Sequence, residues 1–213
     1  MRYERKYRIL DQSFAFVRQM IHHHPRGFRP IYPDRQVNNI YFDTPHLQCY
    51  KDNVDGLASR RKYRIRWYGA LDATNTTKNQ LEIKLKENTL GDKKTYLFPS
   101  FKLADWTDLG PLVCQTLSTP LVLQPTLLNA YQRSYYGIPN GKFRITIDRE
   151  LGYSPLLKEG RLPAIRYADP GIIVEVKYEE GVEQEANEIL QYLPFRMTKN
   201  SKYVSGMEVR NVD

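Results

Sequence analysis

Charged and apolar residues alternate along several segments of the sequence, and KYRIRWYG shows the alternation most clearly. It places Lys62, Arg64 and Arg66 at every second position, with Tyr63 and other apolar side chains between them. Because successive side chains of a β-strand point to opposite faces, this pattern predicts a strand with one cationic and one apolar face. The charged side of such a strand is usually wet, so this segment alone leaves open whether the cations face solvent or an enclosed site.

The same alternation occurs in five further segments. In each segment the charged or polar residues occupy every second position, here called the charged parity, and the positions between them form the apolar parity. The charged-parity residues are Glu4 and Lys6; Glu82, Lys84 and Lys86; Tyr131 and Arg133; Arg144, Thr146 and Asp148; and Glu175 and Lys177. A solvated sheet would carry many Thr, Ser, Asn and Gln residues, whereas Lys, Arg and Glu dominate here. Like charges on neighbouring strands repel each other unless a bound anion offsets them. We therefore predict that the charged parity faces inward onto a polyanion and that helices cover the apolar parity.

The remaining patterns predict an α+β protein built on an antiparallel sheet or barrel. The predicted strands are residues 2–10, 38–44, 60–69, 80–87, 130–137, 142–150 and 171–180. The predicted helices are residues 11–21, with Asp11 or Ser13 as N-cap, 45–56, with Thr44 as N-cap and Gly56 as stop, and 181–193. Residues 22–34 are predicted as a loop, the polar stretch DATNTTKNQ as a connection between strands, and residues 99–130 as helical connections.

Composition and charge narrow the class of protein. The chain has 213 residues, of which 41% are hydrophobic and 26% charged, as in a soluble globular protein, and its net charge of +8 favours a polyanionic partner. The segment MRYERKYRIL has no signal-peptide core, and no apolar run approaches the roughly 18 residues that cross a bilayer. We therefore expect no membrane insertion and a cytoplasmic location. Cys49 and Cys114 lack metal-ligand spacing and are expected to be reduced thiols.

Several familiar kinds of site are missing from the sequence. Adjacent residues near a helix end point in different directions, so His22, His23 and His24 predict a solvated helix terminus rather than a metal site. There is no P-loop, no GxGxxG loop and no kinase HRD–DFG pair. No RRM, KH or helix-turn-helix signature indicates nucleic acid, and nothing implies a partner protein. Arg and Lys can nevertheless bind phosphate oxygens, and glutamates placed among them suit a hard divalent cation.

Seven segments follow one another in an order that is typical of a known family. They are RYERKYRI, YFDTPHLQCYKDNVDG, RRKYRIRWYG, LEIKLKE, RITIDRE, VEVKY and SKYVSGM. In this order they resemble the VTC (vacuolar transporter chaperone) polyphosphate polymerase domain, a member of the triphosphate tunnel metalloenzyme superfamily, which also contains the CYTH phosphohydrolases. The resemblance implies a single domain over residues 1–213, folded as an antiparallel, eight-stranded closed β-barrel with helices packed on the outside. It also implies synthesis of polyphosphate from ATP, with Mn²⁺ or Mg²⁺ as cofactor.

The resemblance assigns roles to individual positions. The residues expected to form the catalytic centre are Lys6, Arg64, Arg66, Lys84, Arg133, Glu175 and Lys202. Further phosphate-binding candidates are Lys62, Lys86, Tyr131, Arg144, Lys177 and Ser201. Glu175 is the expected metal ligand, while Glu4 and Glu82 are expected as second ligands, in water activation or in charge balance; Thr146 and Asp148 would position other groups. Asn200 stands where the family usually has an aromatic or small residue, so the corner beside Ser201 is expected to differ.

The leading hypothesis is a metal-dependent polyphosphate polymerase, which transfers the γ-phosphoryl group of ATP to a growing chain in a basic tunnel. Two alternatives stay open: a triphosphate or nucleoside-triphosphate hydrolase of the same superfamily, and a non-catalytic module that binds polyphosphate. The expected ligands are ATP and polyphosphate or triphosphate. Since no SPX-like regulatory segment is recognisable, we expect a standalone domain without control by inositol phosphates.

Overall fold

A computed structural model describes residues 2–71, 78–87, 90–156 and 164–209, so most of the predicted connection DATNTTKNQ lies outside the described residues. The strands are β1 (Arg2–Ile9), β2 (Arg29–Asp43), β3 (Ser59–Tyr68), β4 (Asn79–Glu87), β5 (Leu90–Phe98), β6 (Gln124–Gly137), β7 (Phe143–Pro155), β8 (Tyr167–Asp169) and β9 (Ile172–Glu179). The helices are α1 (Phe14–His22), α2 (Gln48–Val54), α3 (Leu109–Leu117), α4 (Glu183–Leu190) and α5 (Lys202–Glu208), with a 3-10 helix at Leu103–Asp108. None of these described helices is long and apolar enough to cross a membrane.

The strands form one sheet in the order β1-β9-β7-β6-β2-β3-β4-β5, with β8 paired to β7 beside this path. The pairings β1–β9, β9–β7, β2–β3, β3–β4 and β4–β5 are antiparallel. The prediction of an α+β protein with an antiparallel sheet is therefore confirmed. Within the described residues no pairing joins the end strands β1 and β5, so the predicted closure into an eight-stranded barrel is not confirmed.

The chain divides into two compact units. Unit 1 comprises residues 1–35, 131–151 and 169–200, and unit 2 comprises residues 36–130, 152–168 and 201–213. Unit 1 thus contains β1, β9, α1 and α4, and unit 2 contains β3, β4, β5, α2, α3 and α5. The single domain over residues 1–213 stays a prediction.

The core of unit 1 lies between the apolar face of its strands and the helices α1 and α4. Val174 and Val176 of β9 are fully buried, and the register places them opposite Ile147 and Ile145 of β7. The helix residues that complete this cluster are Val17, Ile21, Ala186 and Ile189. Each fully buried aliphatic side chain stabilises the fold by about 1.5–3 kcal/mol relative to an exposed one. In unit 1, helices therefore cover the apolar parity, as predicted.

In unit 2 the apolar parity of β3 is also buried. Tyr63, Ile65 and Trp67 are 4%, 0% and 0% exposed. The ring of Trp67 packs edge to face against Phe101, with 5.4 Å between the ring centroids. Leu81 of β4, which lies opposite Ile65, is fully buried as well. These side chains therefore contact protein rather than water, which leaves the charged parity on the other face of the strand.

The N-cap of α1 is one of the two predicted residues, whereas α2 begins later in the chain than predicted. Ser13 is the N-cap of α1, where its hydroxyl accepts a hydrogen bond from the backbone N–H of Phe16 at 3.2 Å. Helix α2 begins at Gln48 rather than at Pro45, because Leu47 has a left-handed φ of 55°. Gly56, with a φ of 71°, follows the helix at the predicted stop, where glycine adopts this conformation without strain.

Two strands begin where the sequence predicted another structure, and two more were not predicted. β2 begins at Arg29, inside the segment predicted as a loop, and β6 begins at Gln124, inside the region predicted as helical. The first residues of β2 are exposed and include Pro30 and Pro33, so the segment lacks the alternation and composition of a typical strand. β5 and β8 were not predicted as strands at all. The helical prediction for residues 99–130 is confirmed only by the 3-10 helix and α3.

The histidine triplet at the end of α1 is only partly a solvated terminus. His22 and His23 are exposed, but His24 is 4% exposed, so the prediction is wrong for that residue. The Nε2 atom of His24 lies 3.1 Å from the carbonyl oxygen of Ile189, and its Nδ1 atom accepts from the backbone N–H of Arg26 at 3.1 Å. Burial lowers the pKa of His24, because the charged imidazolium loses its hydration.

We expect the stability of the protein to decrease at mildly acidic pH because of His24. The lowered pKa means that the unfolded state binds the proton more readily, so the free energy of unfolding falls as the pH drops from about 6.5 through the folded-state pKa. The slope is at most about 1.4 kcal/mol per pH unit. Urea unfolding between pH 8 and pH 5 should show this loss in wild type and a shallower profile in His24→Gln. Identical profiles would contradict the role of His24.

Candidate functional site

The charged parity of unit 1 forms one continuous face across three strands. Register pairs Lys6 of β1 with Glu175 of β9, and Glu175 with Thr146 of β7. The next row pairs Glu4 with Lys177 and Lys177 with Arg144. Residues directly opposite each other in a sheet share a face, so the predicted site residues of these strands lie together. The Glu175 cluster is defined as Glu4, Lys6, Arg133, Asp148, Glu175 and Lys177.

Glu175 lies at the centre of this cluster and is 5% exposed. Its Oε1 atom lies 3.3 Å from Lys6 Nζ, and its Oε2 atom lies 3.3 Å from Lys177 Nζ and 3.6 Å from Arg133 Nη2. Lys6 Nζ also lies 3.0 Å from Glu4 Oε1. Three cations therefore surround one buried carboxylate, and a second carboxylate shares one of those cations.

Lys6 is held from three sides. Besides both glutamates, its ammonium group donates to the backbone carbonyl oxygen of Asn200 at 3.1 Å. Because that contact uses the main chain, the unusual side chain at position 200 does not prevent it. Burial alone would lower the pKa of Lys6, but Glu175 and Glu4 outweigh it and raise the pKa above its ordinary value. Lys6 therefore stays charged at neutral pH.

Arg133 and Asp148 form a buried bidentate ion pair beside Glu175. Arg133 Nε lies 2.5 Å from Asp148 Oδ1, and Nη2 lies 2.6 Å from Oδ2. The guanidinium carbon also lies 5.2 Å from the centroid of the Tyr131 ring. Burial alone would lower the pKa of Arg133, but the Asp148 carboxylate raises it, so the guanidinium keeps its charge. This pair fixes the plane in which Arg133 presents its remaining donors.

Unit 2 contains a second charged group, here called the Glu82 cluster: Arg64, Arg66, Glu82 and Lys93. Glu82 is 1% exposed. Arg64 approaches its Oε2 atom with Nε at 2.7 Å and Nη2 at 2.6 Å, Arg66 Nη1 lies 3.6 Å from the same oxygen, and Lys93 Nζ lies 2.8 Å from Oε1. Burial alone would raise the pKa of Glu82, but the three cations lower it well below its usual range. Glu82 is therefore a carboxylate that stays ionised and is a weak base.

A chain of buried amides orients Arg66. Its Nε atom donates to Asn39 Oδ1 at 2.9 Å, and the Asn39 amide donates to Asn129 Oδ1 at 3.2 Å. Asn129 in turn donates to the backbone carbonyl oxygen of Gly152 at 3.0 Å. Both asparagines are fully buried. The sequence did not single them out, because an Asn in a strand gives no sign of its long-range partner.

A row of lysines crosses β3, β4 and β5 beside the Glu82 cluster. The register pairs Lys62 with Lys84, and Lys84 with Lys93. Lys62 Nζ donates to Ser201 Oγ at 2.8 Å. Ser201 is the N-cap of α5, and its neighbour Lys202 is 8% exposed. Aligned like charges of this kind favour an anion on this face.

Most of the predicted site residues thus fall into two groups, one in each unit. Lys86 lies opposite Arg60 and away from Glu82 along β4, and Arg144 is exposed at the far row of the unit 1 face. Lys93 belongs to the Glu82 cluster, and the sequence analysis missed it because its strand was not predicted. The register of β4 and β5 pairs Glu87 with Leu90 and places Lys93 opposite Lys84.

The Glu175 cluster contains some, but not all, of the oxygen ligands that a hard divalent cation needs. Among the described residues no group of three or more His, Cys, Asp or Glu side chains could hold a metal. Glu4 and Glu175 approach the same ammonium group, and the Thr146 hydroxyl, opposite Glu175, is buried without a hydrogen-bond partner in the described part of the chain. Mg²⁺ is commonly held by one or two carboxylates together with substrate phosphates, so these oxygens suit such an ion when a phosphate is bound.

The fold and these sheet faces define a class: α+β proteins whose antiparallel sheet carries buried carboxylates among Lys and Arg. The VTC domain model matches residues 1–105 and 111–211, and the chain belongs to the VTC domain family. The resemblance inferred from the sequence segments is therefore confirmed. Family membership supports a function related to polyphosphate or triphosphate. No curated protein sequence matches the chain significantly.

Solved structures with the same fold have low sequence identity. The PH1819 protein of Pyrococcus horikoshii is similar with a TM-score of 0.54 and 16% identity, over 98% of each chain. A candidate adenylate cyclase from Vibrio parahaemolyticus has a TM-score of 0.56 and 13% identity, over 96% of this chain and 97% of its own. HpAC1 of Hippeastrum, described as a candidate adenylyl cyclase with a dominant triphosphatase activity, has a TM-score of 0.51 and 14% identity, over 99% and 96%. At these identities the likeness concerns the fold alone.

Proposed function

We propose that the protein is a metal-dependent polyphosphate polymerase that transfers the γ-phosphoryl group of ATP to a growing polyphosphate chain. The supporting observation is that the buried carboxylates Glu82, Glu175 and Asp148 each lie within ion-pair distance of Lys or Arg. Phosphoryl transfer through a loose transition state needs in-line positioning and neutralisation of charge rather than a covalent nucleophile. Each cluster supplies Lys and Arg side chains that can neutralise the charge of phosphate oxygens.

The state of Glu82 and Asp148 favours a phosphate acceptor over water. A terminal phosphate of polyphosphate is already an anion, so it attacks without a general base. Water requires deprotonation, for which a base with a pKa near neutrality is most effective. The lowered pKa of Glu82 makes it a poor base, and Asp148 is occupied by Arg133 on both oxygens. These residues are better suited to holding cations in place than to activating water.

The proposed roles follow from the contacts. Lys6, Arg133 and Lys177 bind phosphate oxygens at the Glu175 cluster, and Arg64, Arg66 and Lys93 bind them at the Glu82 cluster. Further phosphate contacts come from Lys62, Lys84, Tyr131, Ser201 and Lys202, with Lys86 and Arg144 at the margins. Glu175 with Glu4 would hold Mn²⁺ or Mg²⁺, which would neutralise charge on the transferred phosphoryl group. Glu82 orients Arg64 instead, since Arg64 and Lys93 lie within 2.8 Å of its oxygens, whereas the cations around Glu175 lie at 3.3 Å or more.

The decisive experiment incubates the purified protein with ATP and Mn²⁺, resolves the products by gel electrophoresis and measures free orthophosphate. Long polymer together with ADP is the expected result, and chelation of the metal with EDTA should abolish it. Orthophosphate without polymer would support a hydrolase, the alternative that the triphosphatase activity of HpAC1 favours. Tight polyphosphate binding without turnover would instead support a non-catalytic module.

Replacing Arg64 with alanine should weaken tripolyphosphate binding about tenfold or more, because a charge-assisted contact to phosphate is lost. The dependence of affinity on salt should become less steep, since fewer counterions are released. Isothermal titration calorimetry at several salt concentrations measures both effects. Lys102→Ala removes one charge from an exposed position of the same unit and should change neither. Equal affinities in Arg64→Ala and wild type would contradict the assignment of this face to phosphate.

A further inference from the structure

Asp43 at the end of β2 is a fully buried carboxylate that has no role in the site as described so far. Its Oδ1 atom accepts from the backbone N–H groups of Thr44 at 2.7 Å and Cys49 at 2.8 Å, and its Oδ2 atom accepts from that of Tyr50 at 2.8 Å. These bonds satisfy the charge of the buried carboxylate and tie the start of α2 to β2.

Tyr203 connects Asp43 to the helix that follows Ser201. Its hydroxyl donates to Asp43 Oδ2 at 2.6 Å and lies 3.3 Å from the hydroxyl of Thr126. The side chain is 1% exposed, and burial together with Asp43 raises the pKa of Tyr203. The phenol therefore remains a neutral donor, and its position fixes the first turn of α5, where the adjacent residue is Lys202.

The ring of Tyr203 also reaches the charged face of the sheet. It stacks on Tyr41 with 5.1 Å between centroids and 23° between planes. The Tyr41 hydroxyl accepts from Arg64 Nη1 at 3.3 Å, and the Arg64 guanidinium carbon lies 6.0 Å from the Tyr41 ring centroid. On the helix side, Ser201 accepts from Lys62 Nζ at 2.8 Å. Tyr203 thus stacks on Tyr41, the partner of Arg64, and follows Ser201, the partner of Lys62, and Lys202 in the sequence.

We propose that Asp43 and Tyr203 are positioning residues, which hold Lys62, Arg64 and Lys202 in the geometry that binds phosphate. Neither residue contacts phosphate itself. The inference rests on the proposed phosphate-binding role of unit 2. It adds the contacts that fix the positions of the cations in that unit. The hydrogen bond between these residues joins the segments YFDT and SKY, since Asp43 lies in the first and Tyr203 in the second, 160 positions apart in the sequence.

The test compares Tyr203→Phe with Tyr63→Phe. Both substitutions remove one hydroxyl from a buried tyrosine of unit 2, but Tyr63 lies on the apolar face of β3 between Lys62 and Arg64. Tyr203→Phe keeps the ring that stacks on Tyr41 and loses only the bonds to Asp43 and Thr126. Affinity for tripolyphosphate is measured calorimetrically at several salt concentrations, alongside urea unfolding to confirm that both variants are folded.

We expect Tyr203→Phe to weaken tripolyphosphate binding about tenfold, because misplaced cations contribute less. The salt dependence should also become less steep, which a loss of global stability alone would not cause. The double variant Tyr203→Phe/Lys62→Gln should lose less tripolyphosphate-binding free energy than the sum of the losses in the two single variants. The reason is that both substitutions affect the contact between Lys62 and phosphate. Tyr63→Phe should bind as wild type does.

Equal affinity and salt dependence in Tyr203→Phe and Tyr63→Phe would overturn the inference while leaving the proposed function intact. If wild type binds no tripolyphosphate, the proposed function fails instead, and lysine labelling with acetic anhydride decides the inference. Greater labelling of Lys62 and Lys202 in Tyr203→Phe than in Tyr63→Phe, measured by mass spectrometry, would support the positioning role. Equal labelling in the two variants would overturn it.

Discussion

Replacing Glu175 with glutamine is expected to reduce metal-dependent turnover about a thousandfold, since a bound divalent cation contributes several kcal/mol of charge stabilisation. Glutamine has the same shape but lacks the charge that holds the ion. Glu175 is also surrounded by Lys6, Lys177 and Arg133. Removal of its negative charge leaves these cations to attract phosphate more strongly, so polyphosphate binding should be retained or become tighter.

Two measurements separate these effects. Polymer formation from ATP and Mn²⁺ reports turnover, and titration of Mn²⁺ into the protein, followed by electron paramagnetic resonance, reports metal binding directly. Glu179→Gln is the matched control, because Glu179 is an exposed residue of the same strand. If Glu175→Gln retains both Mn²⁺ affinity and turnover, Glu175 is not the metal ligand.

Replacing Asp148 with alanine should lower the free energy of unfolding by about 3–5 kcal/mol, because a buried guanidinium loses its ion-pair partner. Asp148 is fully buried, and it bonds both Nε and Nη2 of Arg133. Glu175, whose Oε2 atom lies 3.6 Å from Arg133, is too distant to replace this bidentate contact. Urea unfolding at pH 7 gives the change in stability.

A double variant tests whether the unpaired charge is the cause. Arg133→Met combined with Asp148→Ala removes both charges and should recover much of the stability that Asp148→Ala loses, since replacing both members of a buried pair is often close to neutral. Equal loss in the single and double variants would assign the effect to packing around Asp148 instead. A loss below about 1 kcal/mol in Asp148→Ala would contradict the importance of the pair itself.

The sequence was most informative where one periodic pattern fixes one face of a strand. Arg64 and Arg66 share a parity, and the structure places both against Glu82. The apolar parity of β9 predicted burial beneath helices, and Val174 and Val176 lie in that core. The sequence was least informative for β2 and β5. Prolines at the exposed start of β2 weaken the strand pattern there, and β5 lacks a clear apolar parity.

The sequence by itself determined which side chains share a face, because the period of two in a strand is a local property of the backbone. Together with the order of its motifs, it also determined the family. Only the tertiary structure decided which charges meet: Lys93 with Glu82, Arg133 with Asp148, and Tyr203 with Asp43. These contacts depend on strand register and helix packing between distant parts of the chain. Burial and charge pairing, which set the chemistry of each carboxylate, follow from them and are absent from any local pattern.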